Sequence, residues 1–450
     1  MKRKLLFGLT AVVAFTITSV LIINKTTEIN ADRQVIKNEL TNNETPINED
    51  KKVNGGIEMS EKMADNNYIQ KVTEYAGYLM KEGFKTVDTP EKSFIWDTEG
   101  KNDSWRYYNG VMLDGFWRAE IKTESGNALE FLSRYYEVNI TKDGKIARFG
   151  SDITLKQELD SILAARPLFY LIGTDKWQNK YEVALNSIYL QLSDKSVFTT
   201  YENCGGNLLH KPNWTDFHIG LDGVYMYMPF LMEYAYALEN NQIQNQYANP
   251  QEIYKSIYER LMWVSKNMYD EQTKLLNHGW NVKTNTGNGH FWGRGIGWCL
   301  AAMADVIEMM PVEAYKEDLI SELKKLLDGV LIYQDKETKM WYNVINRDHS
   351  LTANNGNNLE TSATALIAYT LMKANNNGWL GSEYGKAGLE AFESIVKYKM
   401  TDDFTLVDIY KASGVLTSDE EYCKNSYVEN EGKGAGPFII AMVEAKKQYK

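Results

Sequence analysis

The segment that best reveals the fold is Leu221-Asp-Gly-Val-Tyr-Met-Tyr-Met-Pro-Phe-Leu-Met-Glu-Tyr-Ala-Tyr-Ala-Leu238. Its long apolar run from Val224 to Leu238 is typical of a buried helix. About twelve segments with helical spacing of apolar residues follow one another along the chain, separated by Gly, Asn and Asp. The predicted helices begin near Glu61, Trp105, Ala128, Gln157, Trp177, Leu221, Gln251, Trp292, Val312, Leu359, Ser382 and Gly434.

A mostly helical chain with about twelve helices has few compact arrangements. One is a toroid of six helical hairpins, in which inner helices line the axis and leave a funnel at one end. A stacked helical solenoid is the alternative. No repeat of fixed length is visible, which favours the toroid. Strand signals are sparse, and the best are the short runs Met340–Ile345 and Ile146–Gly150.

The chain divides into three parts by composition. Lys2, Arg3 and Lys4 precede an uncharged, mostly apolar run from Leu5 to Ile23, so residues 1–31 are predicted to be a signal peptide or an N-terminal membrane anchor. Residues 32–59 are polar without apolar periodicity and are predicted to form a disordered linker. Residues 60–450 are predicted to form one catalytic domain. The protein is therefore expected to be exported, and either secreted or tethered to the outer face of the membrane.

Composition excludes some classes of function. The formal net charge of −11 would repel nucleic acid. The three cysteines are widely spaced, and no Cys/His cluster exists, so we expect neither a disulfide framework nor a metal site nor any other cofactor. The aromatic content of 12% suits either a sugar-binding enzyme or a large helical core.

Asp222 and Asp160 each stand at the start of an apolar helical run. Either one could simply cap its helix or favour the helix dipole. The apolar neighbours of Asp222, among them Tyr225 and Met226, instead predict a raised pKa and a carboxyl group that can donate a proton. If both lie on inner helices, Asp160 could face Asp222, and two adjacent carboxylates do not ionise together easily.

The segment from Phe291 to Trp298 contains glycines at three alternate positions, which allow close backbone approach. Trp292, Arg294 and Trp298 project from it. Arg294 could bind a carboxylate through its planar fork, and the two indoles could form walls for a sugar ring. A purely structural turn is the alternative, although an arginine between two tryptophans is costly to bury without a partner.

These motifs together resemble the unsaturated rhamnogalacturonyl hydrolases, glycoside hydrolase family 105, which are related to the unsaturated glucuronyl hydrolases. The resemblance covers roughly residues 60–450. It implies an all-α (α/α)6 barrel, in agreement with the helix count. It rests on Gly205-Gly206, His210-Lys211, Leu221–Phe230, Phe291–Trp298, Ala304–Glu308, Pro311, Trp341-Tyr342, Leu359–Ala363 and Lys433–Phe438.

The resemblance also implies a reaction. Polysaccharide lyases leave a C4=C5 double bond in the terminal uronic acid, and these hydrolases hydrate that vinyl ether. Asp222 matches the acid/base residue that protonates C4 and then takes a proton from the water that attacks C5. The resulting hemiketal opens and releases the neighbouring sugar.

By the same match, Asp160 falls where the family has its second carboxylate. The substrate-binding positions are Tyr107 or Tyr108, Lys211, His278, Trp292, Arg294 and Trp298. The chain departs from the family pattern near Asp160, and it has Asp216 and His218 where less polar residues are expected. The resemblance implies an unsaturated oligosaccharide of the rhamnogalacturonan type as the partner. The alternatives are another (α/α)-barrel glycosidase, a polysaccharide lyase, or an exported glycan-binding protein without activity.

Overall fold

The computed structural model describes residues 56–89, 91–100, 104–148, 151–152, 158–194, 200–211 and 216–449. The predicted signal or anchor segment therefore lies outside the described residues, as does the predicted linker up to residue 55. The last four residues of that predicted linker are helical instead, because the first helix begins at Gly56. In the described part of the chain, no helix combines the length and the apolar character needed to cross a bilayer.

Eleven α-helices and one long 3-10 helix, Leu163–Leu171, account for the predicted segments within the described residues. Ten of the twelve predicted starts lie within two residues of the observed ones; the exceptions are Glu61 and Gln157. The α-helices are α1 (Gly56–Phe84), α2 (Tyr107–Arg118), α3 (Ala128–Asn139), α4 (Asn179–Ser193), α5 (Leu221–Glu239), α6 (Pro250–Asn267), α7 (Gly293–Met309), α8 (Glu313–Leu331), α9 (Thr361–Asn376), α10 (Ser382–Tyr398) and α11 (Gly432–Gln448).

Six of these elements form a closed inner ring. In order around the axis they are α2, the 3-10 helix, α5, α7, α9 and α11, and α11 returns to contact α2. The other helices alternate with them along the chain, so the fold is an (α/α)6 barrel, as predicted. Inner helices α5, α7 and α9 are buried on nearly every side, whereas outer helices such as α8 and α10 bury one face.

The strands are only two or three residues long and connect the helices. The one three-stranded sheet pairs β5 (Ile219–Gly220) with β8 (Gly279–Asn281) and β8 with β9 (Thr286–Gly287). The two-stranded ladders are β1–β2 (Lys122–Thr123, Gly126–Asn127), β3–β4 (Ala147–Arg148, Ser151–Asp152), β6–β7 (Tyr269–Asp270, Leu275–Leu276) and β10–β11 (Ile409–Tyr410, Tyr427–Val428). Of the predicted strand runs, Ile146–Gly150 contains β3, and Met340–Ile345 makes only isolated bridges.

A layer of buried charges fills the barrel axis far from the helix starts. Arg166 pairs with Glu233 at 2.9 Å and with Asp305 at 2.7 Å, and Arg118 reaches Asp305 across the ring. Eleven residues separate Asp222 from Glu233 on α5, which corresponds to about 16 Å of helix. We call this set the axial charge layer; it comprises Asp114, Arg118, Arg166, Glu233, Asp305 and Lys373.

Candidate active site

The inner helices all begin at the same end of the barrel. Arg294 at the start of α7 bonds Ser362 at the start of α9, and a β-carbon built on Gly432 at the start of α11 would lie 3.3 Å from Tyr108 Cβ on α2. Helix N-termini carry partial positive charge and free N–H groups, so this end of the barrel favours an anion. The side chains at these starts form the candidate site.

Asp222 and His278 are joined at the centre of this end. The β5–β8 pairing brings His278 beside the start of α5, since the amide of Leu221 donates to the carbonyl of His278 at 3.0 Å. His278 Nε2 lies 2.7 Å from Asp222 Oδ2. Oδ1 of Asp222 has no hydrogen-bond partner within the described residues, and the side chain stays 16% exposed. One oxygen of the carboxyl group is therefore held while the other is left available.

The predicted rise in the pKa of Asp222 is wrong for the free protein. Burial alone does raise the pKa of this carboxyl group, as its apolar neighbours indicated. The hydrogen bond from His278, followed by the electrostatic effects of His278 and His210, outweighs burial, so the pKa of Asp222 lies below its usual value. The sequence pattern predicted the burial of Asp222 correctly but could not reveal its contact with His278, which is 56 residues away along the chain.

Asp160 lies within electrostatic range of Asp222. It lies just before the inner 3-10 helix, and its charge raises the pKa of Asp222. Its own oxygens bind His210 Nε2 at 2.9 Å and Lys211 Nζ at 2.5 Å. Burial raises the pKa of the Asp160 carboxyl group, yet the charges of these two partners bring it well below its usual value. Asp160 is therefore ionised.

Glycines let these histidines reach the helix starts. A β-carbon at position 223 would lie 2.7 Å from His210 Nδ1, and one at position 295 would lie 2.8 Å from His278 Cδ2. Gly223 and Gly295 thus leave room for the two imidazoles that contact Asp160 and Asp222. The other two glycines of the α7 start, Gly293 and Gly297, instead make room for α9.

Arg294 lies at the edge of the same site and is only 1% exposed. Its Nη1 donates to Ser362 Oγ at 3.2 Å and to the carbonyl of Tyr410 at 2.5 Å, and its guanidinium carbon lies 4.6 Å from the ring centre of Trp292. Glu360 at the start of α9 is 3.9 Å from Nη1. The Nε and Nη2 of Arg294 have no hydrogen-bond partner within the described residues.

The remaining predicted contacts lie at different depths. Trp292 is buried, with its ring 4.8 Å from His278. Trp298 lies one turn deeper on α7, where it stacks on Tyr225 at 4.8 Å. Of the two candidate tyrosines, Tyr107 faces the site: burial raises the pKa of its hydroxyl, and the charges of Asp160 and Arg294 also act on it. Tyr108 is buried beneath Lys433 instead.

Several residues of the site were not predicted from sequence. His210 was quoted in a motif but given no role, although it stands next to Lys211. Glu360, the N-cap of α9, accepts from the amides of Ala363 and Tyr410. Tyr422 bonds His278, and no local pattern marks it. Of the two unexpectedly polar residues between Lys211 and Asp222, Asp216 is exposed, and His218 packs edge-on against Tyr201 at 5.7 Å.

Comparisons with known proteins agree with this fold. Residues 80–449 match the model of the family described as Glycosyl Hydrolase Family 88. A family 105 glycoside hydrolase from C. acetobutylicum ATCC 824 is 26% identical, with a TM-score of 0.67 over 82% of this chain and 99% of that one. A possible family 105 member from Klebsiella pneumoniae is 18% identical, with a TM-score of 0.66 over 91% and 100% of the two chains. An unsaturated 3S-rhamnoglycuronyl hydrolase from Alteromonas sp. is 33% identical over 125 residues, which are 27% of this chain and 29% of the relative.

Proposed function

The chain belongs to glycosyl hydrolase family 88, and from this premise we propose that it removes the terminal 4,5-unsaturated uronyl residue from lyase-generated oligosaccharides of the rhamnogalacturonan type. Asp222 is the acid/base residue of this proposal. Asp160, Lys211, Arg294 and Trp292 bind and orient the uronate. The single observation that supports it most strongly is the Asp222 carboxyl group held by His278 where the inner helices begin.

The proposed chemistry is a hydration. Asp222 gives its proton from Oδ1 to C4, and the electron pair of the C4=C5 bond forms the new C–H bond. Positive charge develops at C5 and on the ring oxygen, and water attacks C5. The Asp222 carboxylate takes the proton of that water, which restores the acid. The hemiketal then opens to a ketone at C5, and the neighbouring sugar is released from C1. One residue thus serves first as the acid and then as the base.

Substrate binding itself raises the pKa of Asp222 in this proposal. Asp222 has a lowered pKa in the free protein, whereas a proton donor must be protonated when the substrate is bound. A uronate carboxylate that binds nearby disfavours a second negative charge and excludes water, and both effects raise the pKa of Asp222. Asp160 stays ionised beside it, so the two carboxyl groups hold different protonation states.

Local groups hold the anionic sugar in an acidic protein. The formal net charge of −11 gives a repulsive field at long range. The converging helix N-termini, Lys211 and the free Nε and Nη2 of Arg294 oppose that field within the site. Arg294 stacks on Trp292, and this contact fixes the plane of its fork toward a carboxylate.

The assignment of the leaving sugar rests on the relatives. The Alteromonas relative is named for a rhamnoglycuronyl substrate, and the glycine-rich start of α7 resembles the rhamnogalacturonyl hydrolases. We therefore assign rhamnose as the sugar next to the unsaturated uronate.

A panel of lyase-generated unsaturated disaccharides tests the proposal. The purified protein is incubated with disaccharides that differ in the sugar next to the uronate, and loss of the double-bond absorbance is followed. Asp222→Asn should lower kcat by about a hundredfold or more, the contribution of a general acid. Asp175→Asn is the matched control, since Asp175 is exposed and, among the described residues, forms an ion pair only with its neighbour Lys176.

The outcomes test the leaving sugar, the role of Asp222 and the type of reaction separately. Preference for rhamnose supports the whole of it, and preference for a glucosyl or amino sugar overturns only the leaving sugar. An Asp222→Asn variant as active as Asp175→Asn removes Asp222 from the mechanism. Cleavage of the saturated disaccharides at an equal rate would indicate an ordinary glycosidase, which needs two carboxyl groups about 6.5–9.5 Å apart if it inverts.

A further inference from the structure

The hydroxyl group of Tyr422 is surrounded by three nitrogen atoms. His278 Nδ1 lies at 2.6 Å, Asn288 Nδ2 at 3.1 Å and the backbone nitrogen of Leu416 at 3.0 Å. Tyr422 itself is fully buried, and its ring stands edge-on to the imidazole at 5.5 Å. It makes no hydrogen bond to the carboxyl group of Asp222, and the proposed mechanism gives it no role.

Two of these three nitrogens can only donate. The Leu416 nitrogen is a backbone N–H. The orientation of the Asn288 amide is fixed independently, because its Nδ2 also donates to the carbonyl of Leu416 at 3.0 Å and its Oδ1 accepts from the amide of Gly279 at 3.2 Å. The phenolic oxygen therefore accepts two N–H groups, and its lone pairs are used. Its own proton has one acceptor left, which is Nδ1 of His278.

The direction of this bond determines the state of the imidazole. If Nδ1 accepts from Tyr422, it carries no proton, so His278 is neutral and its proton is on Nε2. That N–H points at Asp222 Oδ2, 2.7 Å away. A charged His278 would direct a third N–H at an oxygen that has no lone pair to spare.

We propose that Tyr422 is a positioning residue that keeps His278 as the neutral Nε2–H tautomer, so that His278 holds Oδ2 of Asp222 and leaves Oδ1 to carry the reacting proton. The inference rests on the proposed role of Asp222. It adds that His278 donates the same hydrogen bond before and after the proton transfer. A charged imidazole would stabilise the Asp222 carboxylate and oppose its protonation, and Tyr422 prevents that state.

The charged and titratable groups that face this trio come from two sides. Asp160 and His210 act on Asp222 from the segments before the 3-10 helix and α5. Asp419 acts on Tyr422 from the loop between β10 and β11, where it pairs with His290 at 2.7 Å. None of these groups bonds His278, so a change in its state on loss of Tyr422 can be assigned to that loss.

Ring-nitrogen NMR of the five histidines measures the tautomer without any substrate. His278 is assigned by comparison with a His278→Gln sample. Wild-type protein should show a protonated Nε2 and an unprotonated Nδ1 near neutral pH. A protonated Nδ1 in the wild type, in either the charged or the other neutral form, overturns the proposal whatever the variants do.

Tyr422→Phe and Asn288→Asp test whether the hydrogen bond from Tyr422 determines the tautomer of His278. Tyr422→Phe removes the donor, so Nδ1 can take up a proton. Asn288→Asp offers the phenol another acceptor, so the phenol can turn away from Nδ1. Tyr427→Phe is the matched control. Like Tyr422, Tyr427 accepts a hydrogen bond from a backbone amide, but it donates to a carbonyl and does not contact a histidine. Thermal unfolding of each variant identifies loss of structure.

With the preferred disaccharide, Tyr422→Phe should lower kcat/KM by about tenfold or more, a part of the roughly hundred- to ten-thousand-fold that general acid/base catalysis contributes. The alkaline limb of its pH profile should move down by about one unit, because a charged His278 lowers the pKa of Asp222. An unchanged tautomer, or a profile that superimposes on that of Tyr427→Phe, overturns the proposal. If the wild type leaves every unsaturated disaccharide intact, the proposed function fails, and the NMR measurement still decides the role of Tyr422.

Discussion

Arg294 is the residue for which burial and proposed role are most closely connected. It is 1% exposed, yet in the described part of the chain only its Nη1 is used in hydrogen bonds. A guanidinium group shielded from water contributes more to binding an anion than an exposed one does. The sequence motif predicted a cation between two tryptophans. The structure adds that Trp292 stacks on it, while Trp298 packs on Tyr225.

We expect Arg294→Ala to lower kcat/KM by about thirtyfold or more, which corresponds to roughly 2–5 kcal/mol for truncating one partner of a shielded pair. Arg294→Lys should recover part of this, because a point charge does not reproduce the planar fork. Steady-state kinetics on the preferred disaccharide measures both, with Arg134→Ala on outer helix α3 as the control. If Arg294→Ala kept kcat/KM within about twofold, Lys211 would become the main candidate for binding the uronate.

The start of α7 shows how one element serves both packing and the site. A β-carbon at Gly295 would lie 2.8 Å from His278 Cδ2, whereas one at Gly297 would lie 2.8 Å from Leu366 Cβ on α9. The same substitution therefore disturbs the imidazole at one position and a helix contact at the other.

Gly295→Ala should mainly lower kcat and change the melting temperature little, because displacing His278 breaks its hydrogen bond to Asp222. Gly297→Ala should do the reverse, since it separates two inner helices. Alanine favours a helix by about 1 kcal/mol over glycine, so neither melting temperature falls through helix propensity. Thermal unfolding and steady-state kinetics of the two variants test this assignment. Equal losses of activity at equal stability would contradict this assignment.

The elements themselves were largely predictable from sequence, and the reasons are local. Helix starts follow from apolar spacing, and ten of twelve were placed within two residues. Gln157 is an exception because the segment there is a 3-10 helix that contains Pro167, which cannot donate a backbone hydrogen bond. The site was predictable only where a motif marked it. Tyr422 was missed because its partner His278 lies 144 residues away and no local spacing connects them.

At the scale of the whole molecule, the axial charge layer fills the barrel behind the site. Burial raises the pKa of Glu233 to about 7, against an ordinary value of 4.5, and the charge of Arg166 lowers it only in part. The folded state thus holds this proton more tightly than the unfolded chain does. The resulting stability is present below the ordinary pKa and is lost as the pH rises through about 7.

We therefore expect the melting temperature of the wild type to fall between about pH 5 and pH 8 more than that of Glu233→Gln, which cannot ionise. Glu239→Gln, on the exposed end of the same helix, is the control and should follow the wild type. Calorimetry across this range measures the difference. Parallel curves for the wild type and Glu233→Gln would show that Glu233 does not titrate in the layer.

We propose that the protein is exported, on the basis of Lys2, Arg3 and Lys4 and the apolar run that follows them. N-terminal sequencing of the protein from its native host checks this. A mature start at about residues 30–35 corresponds to a cleaved signal, and an intact Met1 in the membrane fraction to an anchor. An intact Met1 in the soluble cytoplasmic fraction would contradict export.

The central claim is that the reaction occurs at C4=C5 and not at the anomeric carbon. An unsaturated uronide whose glycosidic oxygen is replaced by a CH2 group tests it most directly, because its bond at C1 cannot be displaced while its vinyl ether can still be hydrated. The account predicts that the wild type removes the double-bond absorbance of this analogue and that Asp222→Asn does not. Turnover of the natural disaccharide with no reaction of a bound analogue would contradict it.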